Sequence, residues 1–553
     1  VAAPRFSIVT PIFETPAGVL AAMLKSVRAQ TFADWELCLV DDASEQPHVR
    51  ELAAAAADED PRIRLLARDQ NGGIVAASND ALAMASGEFV ALLDHDDELH
   101  PDALAAMHQA LAASPEADYA YSDEDKLDGA GHHTGPFFKP DWSPERMRTQ
   151  MYTCHLSVLR RSLVEEVGGF DQEFEGSQDW DLVLKVTERA RAVVHVPRVL
   201  YHWRMIETSA ASGEAAKPWA FEAGKRAVQA HCERIGLPAR VERDSEYPGV
   251  YHLEPELKEQ PLVSIIIPTY GQVREVRYEA VVLALNCVRS IVERSTYENY
   301  EIVVVADAHT PADVIDDLKK ICGERLRLVR FDRPFSFSAK INVGAVRSAG
   351  EHLLLLNDDV EVIRPDWIER MVMYSGIPEV GAVGGRLLWQ DGRLQHYVVR
   401  FQDGLPGHLY HGFAGDFAGY ANEVLVAENC LAVTGACLMT RRDLFEQVGG
   451  LSQSFPVNYN DIDYCLKLRA AGRRVVYDPD LVLYHFESSS RDSTVEEWEK
   501  DRLRERWLPL TARDPYSSPY LLHGAMRLRA PFAWMEGRRP RLRRRRRAKE
   551  QIT

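Results

Sequence analysis

Short apolar motifs recur in the same order in the two halves of this 553-residue chain. Ser7-Ile-Val-Thr-Pro11 returns as Ser264-Ile-Ile-Ile-Pro268, an offset of 257. Glu36-Leu-Cys-Leu-Val-Asp-Asp42 returns as Glu301-Ile-Val-Val-Val-Ala-Asp307 at 265, and Leu163-Val-Glu-Glu-Val-Gly-Gly-Phe170 as Leu444-Phe-Glu-Gln-Val-Gly-Gly-Leu451 at 281. Collinear matches with a slowly growing offset are what loop insertions make of two copies of one domain. The expectation is two homologous domains, 1–255 and 256–530, joined near 250–262, with a basic tail over 531–553.

Each copy alternates strand and helix. Residues 6–10 and 263–267 are Val- and Ile-rich runs closed by proline, which reads as buried parallel strands. Leu20, Met23, Leu24 and Val27 stand three and four apart, an amphipathic helix, ahead of a second strand at 37–40. Residues 89–93 run into Asp94-His-Asp-Asp97, and 353–356 run into Asn357-Asp-Asp359. This alternation predicts α/β domains whose ligands bind at the carboxyl ends of the parallel strands.

Asp94, Asp96 and Asp97 crowded at a strand end repel one another unless a cation sits among them. Oxygen ligands favour Mg²⁺ or Mn²⁺, hard ions that also take phosphate oxygens, and Asp359 keeps an acid opposite Asp96 in the second copy. Asp42 and Asp307 end the second strand, where an acceptor-only side chain suits a pyrimidine ring N–H. Asp179 and Asp461 open helix-like stretches, each with a further acid two residues on, Asp181 and Asp463. That pattern reads as a general base beside a helix cap. His202 and His485 follow Asp179 and Asp461 by 23 and 24 residues in matching Val-Leu-Tyr-His stretches. They are placed as metal ligands or phosphate contacts.

Other chemistries lack their signatures. Asn71-Gly-Gly73 has neither G-x-G-x-x-G nor Walker A spacing, and no G-x-S-x-G elbow or zincin helix occurs. Eight cysteines without a C-x-x-C pair predict reduced thiols. With no signal-peptide layout and no apolar run of roughly 18 residues, a cytoplasmic protein is expected. The net charge is −18, yet residues 538–553 carry nine Lys/Arg against one Glu, leaving −26 on the rest. An acidic body argues against nucleic acid. The tail suits peripheral contact with the anionic inner face of the cytoplasmic membrane, at about 1 kcal/mol per basic residue.

The strand-end Asp, the Asp-x-Asp cluster, the later Asp and the His, in this order in both halves, resemble family 2 glycosyltransferases of the GT-A fold. The resemblance implies an α/β chain of two tandem GT-A domains, each a metal-dependent inverting transferase. Nucleotide contacts then fall to Pro11, Glu14, Asp42 and Asp94 in the first copy and Pro268, Asp307, Asn357 and Asp358 in the second. Metal ligation falls to Asp96, Asp97 and His202, and to Asp359 and His485, with Asp179 and Asp461 as catalytic bases. Tyr121-Ser-Asp-Glu-Asp-Lys126 and Phe138-Lys-Pro-Asp-Trp-Ser143 are similar to two-domain bacterial enzymes of O-antigen and related surface polysaccharides. That places Asp123, Glu124, Trp142 and Trp180 on the acceptor side. The implied partners are a UDP, GDP or dTDP sugar and a glycan or lipid-linked glycan acceptor. The second copy departs from the pattern at Ala306 for Asp41, Asn357 for Asp94 and Val360 for Asp97. The alternative is therefore one catalytic domain with the second as a glycan-binding or docking module.

Overall fold

The computed structural model describes residues 3–205, 218–486, 495–518, 520–522 and 527–528. Its first sheet contains β1 (Phe6–Ile12), β2 (Trp35–Asp41), β3 (Ile63–Ala67), β4 (Phe89–Leu92), β5 (Glu98–Leu99), β6 (Ala117–Leu127), β7 (His133–Phe137), β8 (Ser157–Arg160) and β9 (Ala192–Arg204). They lie in the order β3-β2-β1-β4-β8-β6-β9-β5, with β7 on β6. A hairpin of β10 (Ala239–Arg243) and β11 (Tyr251–Pro255) follows.

The second half opens with β12 (Val263–Thr269) and a hairpin of β13 (Val273–Val276) and β14 (Glu279–Val282). Then come β15 (Tyr300–Asp307), β16 (Leu326–Phe331), β17 (His352–Leu356), β18 (Val360–Val362) and β19 (Val380–Leu388). There follow β20 (Leu394–His396), β21 (Val399–Gln402), β22 (Leu405–His408), β23 (Glu428–Cys430), β24 (Cys437–Arg441) and β25 (Arg474–His485), and then a short hairpin of Leu521–Leu522 and Arg527–Leu528. The main sheet of this half runs β16-β15-β12-β17-β24-β19-β25-β18, the order of the first sheet strand for strand.

The drift in the repeat now has a cause. The β13–β14 hairpin lies ahead of the helix Leu283–Arg294, where the first copy has only the turn before the helix Ala17–Arg28. Strands β20 to β23 fill a long excursion between β19 and β24. Local clasps are nonetheless duplicated. Ser7 Oγ donates to Glu36 at 2.7 Å and accepts the Gly87 N–H at 2.8 Å, while Ser264 does the same with Glu301 and Gly350, both at 2.7 Å. A Cβ on Gly87 would stand 2.7 Å from the Ser7 nitrogen, so only glycine fits that crossing.

The halves, read from sequence as joined near 250–262, share one apolar cluster. It holds Tyr119, Met147 and Trp180, then Leu253 of the hairpin, then Trp367, Met371 and Val476. Charges cross the same seam. Glu145, fully buried, meets Arg474 at 3.1 Å and Arg148 at 3.3 Å. Burial pushes its carboxyl up, but Arg474 and Arg148 outweigh that and hold it below the usual range. Tyr420 accepts the Phe138 N–H at 3.0 Å and donates to the Pro136 carbonyl at 2.7 Å. Among the described residues no helix is long and apolar enough to cross a membrane. The Arg-rich segment 538–547 lies outside the described residues.

Candidate active sites

In the first half, parallel pairing of β1 with β2 and β4 brings their carboxyl ends together. Pro11 is buried in β1. Just beyond, Glu14 takes φ 51°, its N–H donates to Ser44 Oγ at 3.1 Å, and its carboxylate accepts the Glu45 N–H at 2.6 Å. Positive φ at both Glu14 and Ala43 concentrates backbone strain at these strand ends. Asp42 accepts the N–H groups of Gly72 and Gly73 at 2.9 Å each and pairs with Arg68 at 3.1 Å. Its carboxylate is thus the clasp of the 71–73 loop, where Gly73 needs φ +84°.

The acidic cluster separates into distinct duties. Asp94 is half-exposed, whereas Asp97 is fully buried and accepts from Tyr201 Oη at 2.6 Å and the Arg204 N–H at 2.7 Å. Burial, then Asp96 and Asp94, push the Asp97 carboxyl well above the carboxylate range. The histidine that joins this cluster is His155, not His202. Asp94, Asp97 and His155 each offer a ligand atom within 4.8 Å of the others, a set that fits a divalent ion. His202 instead turns to Asp125 at 2.7 Å. Asp179 sits in the first turn of the helix Gln178–Thr187. Its carboxyl is raised chiefly by burial, lowered by His155 and raised by Asp94, so residues far apart in sequence share one field. Asp181, read as a helix cap, is instead buried and paired with Lys185 at 2.8 Å; Asp463 stands likewise 3.6 Å from Lys467.

The four residues placed on the acceptor side all make internal contacts. Asp123 is buried, accepting the Lys139 N–H at 2.9 Å and facing His195 at 2.9 Å. Glu124 holds Lys139 at 3.0 Å and accepts the His155 N–H at 3.1 Å. Burial raises its carboxyl, but Lys139 and His155 bring it down to about 2. Trp142 packs on Tyr152, and Trp180 is buried with its indole N–H on the Met147 carbonyl at 2.9 Å. Glu124 thus backs His155, while Trp180 lies in the apolar cluster that the halves share, with Trp142 packed against it.

In the second half Pro268 is buried in β12, and Thr269 Oγ1 donates to Asp358 at 2.6 Å. Asp307 pairs with Lys340 at 2.8 Å, a cation that motif reading missed because Ala77 occupies its place in the first copy. His485 does join its cluster, 3.1 Å from Asp359 and 3.2 Å from the Asn357 amide. Asp461, in the first turn of the helix Asn460–Ala470, accepts the Gly435 N–H at 2.8 Å. Ala436 holds the place of His155, counting back from the matched strands β24 and β8, and Gly435 that of Cys154. Each half thus brings a histidine to its acids from a different place, the bend before β8 in the first and the end of β25 in the second.

The flip has a countable origin. From Pro197 to His202 is one residue shorter than from Pro479 to His485. Both stretches bulge beside β6 and β19. The equivalent glutamates Glu98 and Glu361 consequently pair with His202 and with Tyr484. A one-residue slip sends alternate side chains to the opposite face. The spacings of 23 and 24 residues carried this signal.

The family model described as Glycosyl transferase family 2 matches residues 7–168, and that described as Glycosyltransferase like family 2 matches residues 260–508. The chain belongs to glycosyltransferase family 2. Its two sheets are accordingly two tandem GT-A domains. The uncharacterized protein y4gI of Sinorhizobium fredii is 41% identical over 534 residues, covering 94% of this chain and 58% of that one. The O-antigen biosynthesis protein RfbC of Myxococcus xanthus is 36% identical over 524 residues, covering 94% of this chain and 40% of RfbC. This family 2 chain thus spans about half the length of these curated relatives. Among solved structures, S. aureus TarS 1–349 in complex with UDP aligns at 20% identity and a TM-score of 0.33, over 41% of this chain and 65% of that one.

Proposed function

We propose that the chain is a bifunctional, metal-dependent, inverting glycosyltransferase that transfers sugars from nucleotide-diphospho-sugar donors to a growing bacterial surface glycan. The observation that carries this reading is that both halves gather a histidine and acids at matched places: Asp94, His155 and Asp179 in the first, and Asp359 with His485 in the second, where Asp461 opens the helix matching that of Asp179. The name of RfbC supports an O-antigen-like product. Residues 1–255 and 256–530 are the two transfer modules in this reading, acting at the inner face of the cytoplasmic membrane with 531–553 as the membrane contact.

Asp94, Asp96, Asp97 and His155 would hold Mn²⁺ or Mg²⁺ in the first module, and Asp359, His485 and the Asn357 carbonyl-amide group in the second. Such an ion, when bound, neutralises charge developing on the departing diphosphate. The Asp179 or Asp461 carboxylate accepts the proton of the acceptor hydroxyl as that oxygen attacks the anomeric carbon from the face opposite the leaving group. Positioned base catalysis of this kind contributes about 10²–10⁴-fold. The raised Asp179 carboxyl is a stronger base than a solvated one.

A second reading makes the second half a glycan-binding or docking module, favoured by Asn357 in place of Asp94 and Ala436 in place of His155. Calorimetric titration with UDP, GDP and dTDP, with and without Mn²⁺, separates the two. Two metal-dependent sites per chain, one lost in Asp96→Ala and the other in Asp359→Ala, are expected. A single site lost only in Asp96→Ala would favour the docking module, and no site at all would remove the transferase reading.

A further inference from the structure

We propose that Asp125, His133 and His202 form a separate transition-metal site, suited to Zn²⁺, in the first half. Three neighbouring strands deliver these residues: Asp125 and His202 are cross-strand partners on β6 and β9, and His133 is on β7. Asp125 Oδ1 lies 2.7 Å from His202 Nδ1 and Oδ2 lies 3.0 Å from His133 Nδ1. The imidazoles meet at 4.4 Å, and the three residues each offer a ligand atom within 4.8 Å of the others.

Two imidazoles and a carboxylate suit Zn²⁺ and its neighbours rather than Mg²⁺ or Mn²⁺. Zn–N and Zn–O bonds of about 2.0–2.1 Å put tetrahedral ligands ~3.4 Å apart, a few tenths beyond the present hydrogen-bond spacings. An ionised carboxylate only accepts, so each ring carries its proton on Nδ1. An ion entering between them takes the place of both protons, and each ring moves its proton to Nε2. The His133 side chain is 44% exposed, which leaves water to complete the shell. His100 lies beside His202 with its ring centre 6.2 Å away; its Nδ1 accepts the Asp102 N–H, so its Nε2–H is a donor for the outer shell.

The site has no counterpart in the second half, where Leu388 stands for Asp125 and His485 faces the opposite way. It is therefore distinct from the duplicated transfer chemistry. Its place gives it a role. The strand β7 ends beside Pro136 and Phe138, which clasp Tyr420 of the second half. An ion at the root of this hairpin would pin β7 to β9 and stiffen that clasp.

The test uses the full chain stripped with chelator and titrated with Co²⁺, followed by displacement with Zn²⁺. One equivalent of tetrahedral Co²⁺, seen by its visible ligand-field bands and bleached by Zn²⁺, is expected. His133→Ala, at an exposed position that the fold tolerates, and Asp125→Asn should each weaken uptake at least about tenfold. Zn²⁺ should also raise the unfolding midpoint of the native chain but not of His133→Ala. Absence of a saturable band would overturn the proposal. So would a band that survives His133→Ala and vanishes in His155→Ala, which would put the ion at Asp94, Asp97 and His155.

Discussion

The backbone N–H of Gly435 donates to Asp461 Oδ2 at 2.8 Å, one residue before Ala436, which stands where the first half carries His155. His396 braces the same loop by accepting the Thr434 N–H at 3.3 Å, and burial followed by His408 and His485 holds its imidazole well below the usual range, hence neutral. The first half surrounds its proposed base with an ionisable ring, whereas the second fixes its base with a backbone donor. The two modules thus reach one arrangement of acids by different local means.

Gly435→Ala tests that contact. A Cβ there would stand 3.1 Å from Asp461 Cβ, displacing the carboxylate by a few tenths of an ångström. The second transfer should fall by about 10- to 100-fold with the first unchanged, since small misplacements of a reacting group cost that much. Nucleoside diphosphate release at each donor site reads this out, and equal loss at both sites would count against it.

Asp179→Asn and Asp461→Asn should each remove one transfer by about 10²–10⁴-fold while nucleotide affinity stays within a few-fold. Calorimetry on the same variants separates binding from turnover. Retained transfer at both sites in the double variant would reject the base assignment.

His155→Ala should weaken metal-dependent nucleotide binding at the first site, and His202→Ala should leave that binding intact. The reason is placement: His155 groups with Asp94 and Asp97, and His202 groups with Asp125 and His133. Chelator should abolish the His155-dependent binding. The opposite ranking of the two variants would restore His202 to the diphosphate.

Glu428 is buried between Arg146 of the first half, at 3.7 Å, and Arg400. Glu428→Ala leaves those cations unpaired in the seam and should cost about 3–5 kcal/mol in urea unfolding. A loss below about 1 kcal/mol would mean that water reaches the arginines.

His252 of β11 stands between Asp480 at 2.8 Å and Asp244 at 2.9 Å. Burial pulls its imidazole down, but Asp480 and Asp244 lift it to about 9. A folded value above the unfolded ~6.5 means that the stabilisation is full below about pH 6.5 and is lost as pH rises through 9. The thermal midpoint should therefore drop between pH 7 and pH 10 by more in the native chain than in His252→Gln. Parallel curves would exclude this ion pair as a source of stability.

The sequence by itself determined the duplication, the strand-helix alternation and the acids at strand ends. These are local patterns: apolar runs closed by proline, carboxylates directly after them, and acids opening helices at Asp179 and Asp461. Pairing and packing decided the rest. His155 and Lys340 lack counterparts in the other copy, so comparison of the halves passes over them, and only the sheet order carries each to its acids. Asp123, Glu124, Trp142 and Trp180 read along the chain as acceptor-side residues, and only packing shows the internal partners they hold: Lys139, His195, Tyr152 and Met147. The single extra residue between Pro479 and His485 is plain in the sequence, but its effect is not. Strand side chains alternate with a period of two, so which ring faces the acids is fixed only by the register in which β25 meets β18 and β9 meets β5.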